Sequence, residues 1–245
     1  MAEARILVHG HRGARAVLPE NTIPAFEYAI QAGADFIELD VGVTKDDVPV
    51  VTHDPEINPR IRPGPHAGVA IRTLTLAEVR EYPGPDIPTL DEVLGLPRVQ
   101  FNIELKSFPD RPELAPAPDQ FALLVYQAIA KHNLDSRCIV QSFDFRILHA
   151  MKRLAPAIRI AALWVGLPRP LADIAQEAGA KIVAPEHHLV THEAVEKAHG
   201  AHLEVVPWTA NTPADWQRLI DAGVDGIITD DPAALIAYLK TQRLR

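Results

Sequence analysis

Cysteine is almost missing from this chain: Cys138 stands alone among 245 residues. A single thiol excludes an intrachain disulfide and a cysteine-based zinc cluster, and its setting, Cys138-Ile139-Val140, reads as a buried strand position. No run of eighteen apolar residues occurs, so no transmembrane helix is expected. The start, Met1-Ala2-Glu3-Ala4-Arg5 followed by Ile6-Leu7-Val8, has too short an apolar stretch for a secretory leader, and the chain reads as cytoplasmic. Positive charge is scarce as well. Lys and Arg number 24 against 32 Asp and Glu, the net charge is −8, and the pI is about 5.7. Without a basic run to track a phosphate backbone, nucleic acid is not an expected partner, and nothing marks stable membrane association. An anionic substrate would have to be met by local positive charge, such as a bound cation with one or two buried basic residues.

What the chain does have is a core and a rhythm. Hydrophobic residues make up 47% and charged residues 23%, the balance of an ordinary folded protein. Short apolar or β-branched runs predict strands over 6–9, 36–41, 99–105, 137–141, 158–164, 181–184, 203–208 and 226–229. Between them, apolar residues at helical spacing predict helices over 23–32, 120–132, 145–154, 171–178, 192–198, 213–222 and 232–240. Alternation of this kind argues for a parallel sheet, and about eight repeats over this length favour an α/β (β/α)8 TIM barrel over an open sheet. No glycine-rich dinucleotide fingerprint follows the first strand. From Asp54 to about Asp86 the rhythm breaks at Pro55, Pro59, Pro63, Pro65, Pro83 and Pro85. We read residues 1–245 as a single barrel domain with a small insertion after the second strand, at about 54–86, long enough to cap one mouth.

In a barrel the C-terminal strand ends face the active site, so polar residues there carry weight. The first strand ends in His9-Gly10-His11-Arg12-Gly13, the second holds Glu38-Leu39-Asp40, another extended run ends at His53-Asp54, and the third holds Glu104-Leu105-Lys106. Strand alternation puts Glu38 with Asp40 on one side, and Glu104 with Lys106. Three converging carboxylates would repel unless they bind a cation, and oxygen-only ligation suits Mg2+ or Ca2+ better than zinc. A salt-bridge cluster around Lys106 explains the same residues equally well. His11 and His53 are the acid/base candidates, since imidazole takes and gives protons near neutral pH. His9 shares parity with His11 but lies deeper, where packing is its expected role. Arg12 and Lys106 could supply the positive charge a phosphodiester needs, or simply pair with the acids. Trp208, closing Val205-Val206-Pro207-Trp208-Thr209, could form an apolar wall or pack on the barrel rim.

These residues fall in ordered blocks that span nearly the whole chain. They are His11-Arg12-Gly13-Ala14, Pro19-Glu20-Asn21-Thr22, Gly33 to Val41, His53-Asp54, Ile87-Pro88-Thr89-Leu90, Asn102 to Lys106, Trp208 to Asn211, and Gly223 to Asp230. In these blocks the chain resembles the glycerophosphodiester phosphodiesterases. The resemblance implies a (β/α)8 barrel and metal-dependent hydrolysis of a small glycerophosphodiester to glycerol 3-phosphate and an alcohol. It implies His11 and His53 as the catalytic pair, and Glu38, Asp40 and Glu104 as ligands of one divalent cation, Mg2+ or Ca2+ with Mn2+ an alternative. Arg12, Lys106 and Trp208 fall on its substrate-contacting positions. Two departures stand out. The family's Thr-Lys-Asp-Gly turn reads Thr44-Lys45-Asp46-Asp47, which Asp tolerates, and its Leu-x-Arg-x-Thr pattern is replaced by Pro55-Glu56-Ile57-Asn58-Pro59-Arg60-Ile61-Arg62, which bears on the leaving alcohol.

Overall fold

A computed structural model describes residues 5–81 and 85–245, so Met1–Ala4 of the N-terminal stretch and Pro83 of the insertion lie outside the described residues. The first strand, β1 (Leu7–Gly10), is followed by α1 (Ile23–Ala32), β2 (Phe36–Val43) and a short β3 (Pro49–Val51). The insertion contributes α2 (Leu76–Val79), and α3 (Leu90–Leu94) leads into β4 (Gln100–Leu105). Then come α4 (Pro118–Lys131), β5 (Cys138–Ser142), α5 (Phe145–Leu154), β6 (Arg159–Trp164) and α6 (Leu171–Ala178). The chain finishes with β7 (Ile182–Pro185), α7 (His192–Gly200), β8 (Glu204–Val205), α8 (Pro213–Ala222), β9 (Gly226–Thr229) and α9 (Pro232–Thr241).

Eight of these strands are parallel, in the order β8-β7-β6-β5-β4-β2-β1-β9, while β3 pairs antiparallel with β2. The sheet closes on itself as a (β/α)8 barrel. Across the β8/β9 seam, backbone N–H groups of Asp225, Ile228 and Ala210 donate to the carbonyls of Val205, Pro207 and Ile228 at 3.0–3.1 Å. The regular part of β8 is shorter than the predicted 203–208, because Pro207 has no N–H to donate and the Leu203 N–H turns back to Ala198. Local chemistry sets the helix ends. In α1, the Thr22 hydroxyl accepts from the Ala25 N–H and Pro24 fits the first turn.

Among the described residues, buried apolar side chains form three groups. One fills the space between the strands and the helices, with Phe26, Leu39, Phe101, Phe121 and Ile129 wholly buried. A second fills the barrel interior with Phe36, Ile139, Ala161, Ile182, Val206 and Ile228. The third joins the insertion to β3 through Val50, Ile57, Ile71, Leu74, Val79 and Ile87. Burial of each large aliphatic there contributes roughly 1.5–3 kcal/mol, enough to hold a segment with little regular structure. Asp47, in the departing turn, has φ of 60°, the left-handed backbone that Asp accepts more readily than most residues. Among the described residues, no helix is long and apolar enough to cross a membrane.

Candidate active site

The register of β2 on β4 sets Asp40 directly beside Glu104 and Glu38 beside Asn102. Strand parity then points Glu38, Asp40 and Glu104 to the same end of the barrel, with ligand oxygens within 4.8 Å of one another. All three are buried, Asp40 completely. Neighbouring side chains hold them. The Glu38 carboxylate accepts from the Arg12 backbone N–H at 3.0 Å and from Gln141 Nε2 at 3.0 Å. Asp40 Oδ2 accepts from Asn21 Nδ2 at 2.9 Å and ion-pairs with Arg12 Nε at 3.0 Å. Lys106 Nζ lies 2.9 Å from Glu104 Oε1 and 3.7 Å from Asp40 Oδ1.

The loop after β1 makes this possible. Arg12 itself sits at φ of 49°, and Gly13 at φ of 86°, where a Cβ would come within 2.7 Å of the Ala25 backbone. The chain therefore turns tightly over the N-terminus of α1 and brings Arg12 back over the carboxylates. Its guanidinium is committed to Asp40 and to Glu20, at 2.8 Å.

The electrostatics follow from crowding. Burial and the charges of Asp40 and Glu104 push the Glu38 carboxyl well above its usual range. Burial likewise raises Glu104, to about 7. Burial would raise Asp40 too, but the cations of Lys106 and Arg12 outweigh it and hold that group below the usual carboxylate range. The cluster fits a hard cation. Its donors are all oxygen, and Asp40 Oδ1 accepts no hydrogen bond although it is buried. The salt bridges to Lys106 are present as well, so the pairing and the ligand set are two uses of one cluster.

Each predicted histidine has a carboxylate behind it. His11 Nδ1 lies 2.5 Å from Asp230 Oδ1, and Asp230 in turn accepts from Asn211 Nδ2 at 2.8 Å. Burial lowers the His11 pKa, and the Asp230 contact partly restores it. His53 Nδ1 lies 3.0 Å from Asp54 Oδ1, and Asp54 Oδ2 accepts from Asn58 Nδ2 at 2.9 Å. A carboxylate on Nδ1 fixes the tautomer and leaves Nε2 for proton transfer. His11, His53, Arg12, Glu38, Glu104, Lys106 and Trp208 line one cavity of about 290 Å³, and Asp40 lies behind its wall. Trp208 donates from Nε1 to the Ala184 carbonyl at 2.8 Å and meets Phe143 edge-on, so it forms an apolar wall and packs on the rim at once. His9 lies deeper, stacked on Phe36 at 4.2 Å, in the packing role expected of it.

Residues 11–234 match the sequence model of the Glycerophosphoryl diester phosphodiesterase family. The chain belongs to this family. It is 36% identical over 250 residues to the glycerophosphodiester phosphodiesterase of Caldanaerobacter subterraneus subsp. tengcongensis, covering 96% of this chain and 98% of the relative. The crystal structure of the glycerophosphodiester phosphodiesterase of Thermotoga maritima superposes with a TM-score of 0.77 at 26% identity, covering 95% and 97% of the two chains. An Oleispira antarctica phosphodiesterase, solved with its product sn-glycerol-3-phosphate, shares the fold with a TM-score of 0.86 at 22% identity, covering 96% and 97%. This family member is accordingly a phosphoric diester hydrolase.

Sequence reasoning overlooked the supporting groups. Asp230 directly follows β9 and Asp54 follows His53, so polarity just past a strand end was the available signal for both. Gln141 and Asn102 sit at interior positions under Glu38, joined to each other at 3.0 Å, and only the register of β4 and β5 reveals them. A second cavity, about 270 Å³, shares Arg15 and His53 with the first and is bounded by Arg62 and Ile61 of the departing segment.

Proposed function

We propose that this family member hydrolyses small glycerophosphodiesters to glycerol 3-phosphate and an alcohol, with a divalent cation and the pair His11 and His53. The observation that carries the reading is the convergence of two carboxylate-backed imidazoles with Glu38 and Glu104 on one cavity, and Asp40 clustered with those acids behind its wall. Charge supports the cation. Burial and mutual repulsion push Glu38 and Glu104 above the usual carboxylate range, a crowding that a bound cation would relieve. Glu38, Asp40 and Glu104 would hold Mg2+ or Ca2+, with Mn2+ an alternative, and such an ion supplies charge neutralisation and activation of the attacking hydroxyl or water.

The chain's own residues do the rest. One imidazole takes the nucleophile's proton while the other delivers one to the leaving oxygen, each worth about 10²- to 10⁴-fold. Lys106 opposes the charge that grows on phosphorus, and Arg12 adds to it while holding Asp40 in place. Trp208 and Phe143 give the apolar glycerol carbons a wall. The second cavity, opening past His53, suits the leaving alcohol.

We further read residues 1–245 as one domain, with the segment at about 54–86 as its cap. Support comes from the Lys45 N–H donating to the Leu74 carbonyl at 2.7 Å, and from Arg111 reaching Glu56 at 2.9 Å. A cytoplasmic setting suits the lone, buried Cys138. The test is release of glycerol 3-phosphate from glycerophosphocholine with added Mg2+. His11→Ala and His53→Ala should each lose about two orders of magnitude or more while remaining folded, and a chelator should abolish turnover reversibly. Full turnover in either variant refutes the reading.

A further inference from the structure

The barrel face that holds the carboxylate cluster has another group of ligand-type side chains, on the turn that follows β7. Glu186, His187 and His188 occur in sequence there, with donor atoms within 4.8 Å of one another, and none of them lines the cavity of His11 and Lys106. We propose that Glu186, His187 and His188 form a second metal site, for a divalent transition ion of the Zn2+ class. Nothing in the diester hydrolysis described above depends on it.

Ligand chemistry separates the two clusters. Oxygen-only donors suit Mg2+ or Ca2+, whereas two imidazoles and one carboxylate are the donor set that zinc accepts, with a fourth position left to water. Geometry favours the same ion. Glu186 Oε1 lies 2.6 Å from His188 Nδ1 and 3.7 Å from His187 Nε2, so one oxygen already faces both rings. The two rings lie 3.9 Å apart, centre to centre.

The turn is also built in advance. The His187 N–H donates to the Trp208 carbonyl at 2.7 Å, the Glu186 N–H to the Trp164 carbonyl at 2.8 Å, and the Leu189 N–H to the Glu186 carbonyl at 3.0 Å. His187 is 7% exposed, and groups on α8 contact its far nitrogen. Arg218 Nη2 lies 3.0 Å from His187 Nδ1, and Asp215 Oδ1 lies 3.6 Å from it. Arg218 donates to that nitrogen, so the ring proton of the metal-free form sits on Nε2. Binding would move this proton to Nδ1, where the Asp215 carboxylate faces it as a hydrogen-bond acceptor, and free the Nε2 lone pair. Arg218 keeps the carbonyls of His187 at 3.1 Å and Val190 at 3.2 Å. A carboxylate behind a ligating imidazole is the usual outer support of a metal site. His188 makes the matching change, its proton passing from Nδ1 to the solvent-facing Nε2.

Equilibrium dialysis against Zn2+, on full-length protein stripped with chelator and then saturated with Mg2+, tests the assignment. One zinc per chain is expected. His188→Ala, at an exposed position that the fold does not need, and Glu186→Gln should each weaken uptake by about tenfold or more, and Asp215→Asn by about 10- to 100-fold. His192→Ala, a surface histidine six residues on from Glu186, and Glu104→Gln should leave this zinc in place. No zinc uptake, equal uptake in His188→Ala, or loss of the zinc in Glu104→Gln would each overturn the proposal.

Discussion

Acidification offers a direct test of how differently the barrel treats two histidines that lie two residues apart. His9 is buried inside the barrel, and burial lowers its pKa to about 3 from an ordinary value of 6.5. The sign follows from proton counting. In the unfolded chain the ring takes up a proton as the pH falls through 6.5, while in the folded protein it stays neutral until about 3. The unfolded state therefore binds more protons across that window, and stability rises with pH. The contribution is complete above 6.5 and is lost progressively down to about 3. Each pH unit is worth at most about 1.36 kcal/mol, so two units below 6.5 about 2.7 kcal/mol of the full contribution is gone, of which about 0.4 kcal/mol is already lost at 6.5, where the unfolded ring is half-protonated.

The control is His9→Gln, which keeps an acceptor for the Asn102 amide that now lies 3.4 Å from His9 Nδ1 but cannot titrate. Urea denaturation of both proteins near pH 6.5 and near pH 4.5 gives two differences, and subtracting them cancels every other titrating group. The wild-type protein should lose about 2.3 kcal/mol more than the variant over that interval. Equal losses would refute the claim that His9 is held neutral by its burial.

Other consequences can be checked separately. Asp230 raises the His11 pKa against the effect of burial, so Asp230→Asn should move the His11 titration to lower pH, visible in its ring proton resonances. A shift upward contradicts the pairing. Glu104→Gln removes one of three acids, and the cation concentration for half-maximal turnover should rise at least about tenfold. Cys138 is buried, with its thiol pushed up to about 12, so it should react with a thiol reagent only on unfolding, and fast labelling of the native protein would disagree.

Periodicity made much of the fold legible. The predicted helices over 23–32, 145–154, 171–178 and 213–222 coincide with α1, α5, α6 and α8, each a run with an apolar face and a clear end signal. Short elements left no such mark. Within and beside the proline-rich segment, α2 and α3 have four and five residues, too few for a helical period to show. Their starts were nonetheless written in the chain, as the capping boxes Thr75 with Glu78 and Thr89 with Glu92.

For the site, the limit was register rather than parity. Alternation along β2 already places Glu38 with Asp40, and along β4 it places Glu104 with Lys106. Which residue of one strand stands beside which of the other is a separate matter, since a one-residue slip would turn every side chain to the opposite face. The observed register sets Asp40 against Glu104, and only then do three acids meet. It also sets Glu104 beside Gln141 of β5, which reaches back to Glu38 at 3.0 Å. Aspartates behind the two imidazoles are different again, since His11 and Asp230 are 219 residues apart and meet only because β9 lies next to β1. Barrel closure thus creates the His11 pair, just as strand register creates the carboxylate cluster.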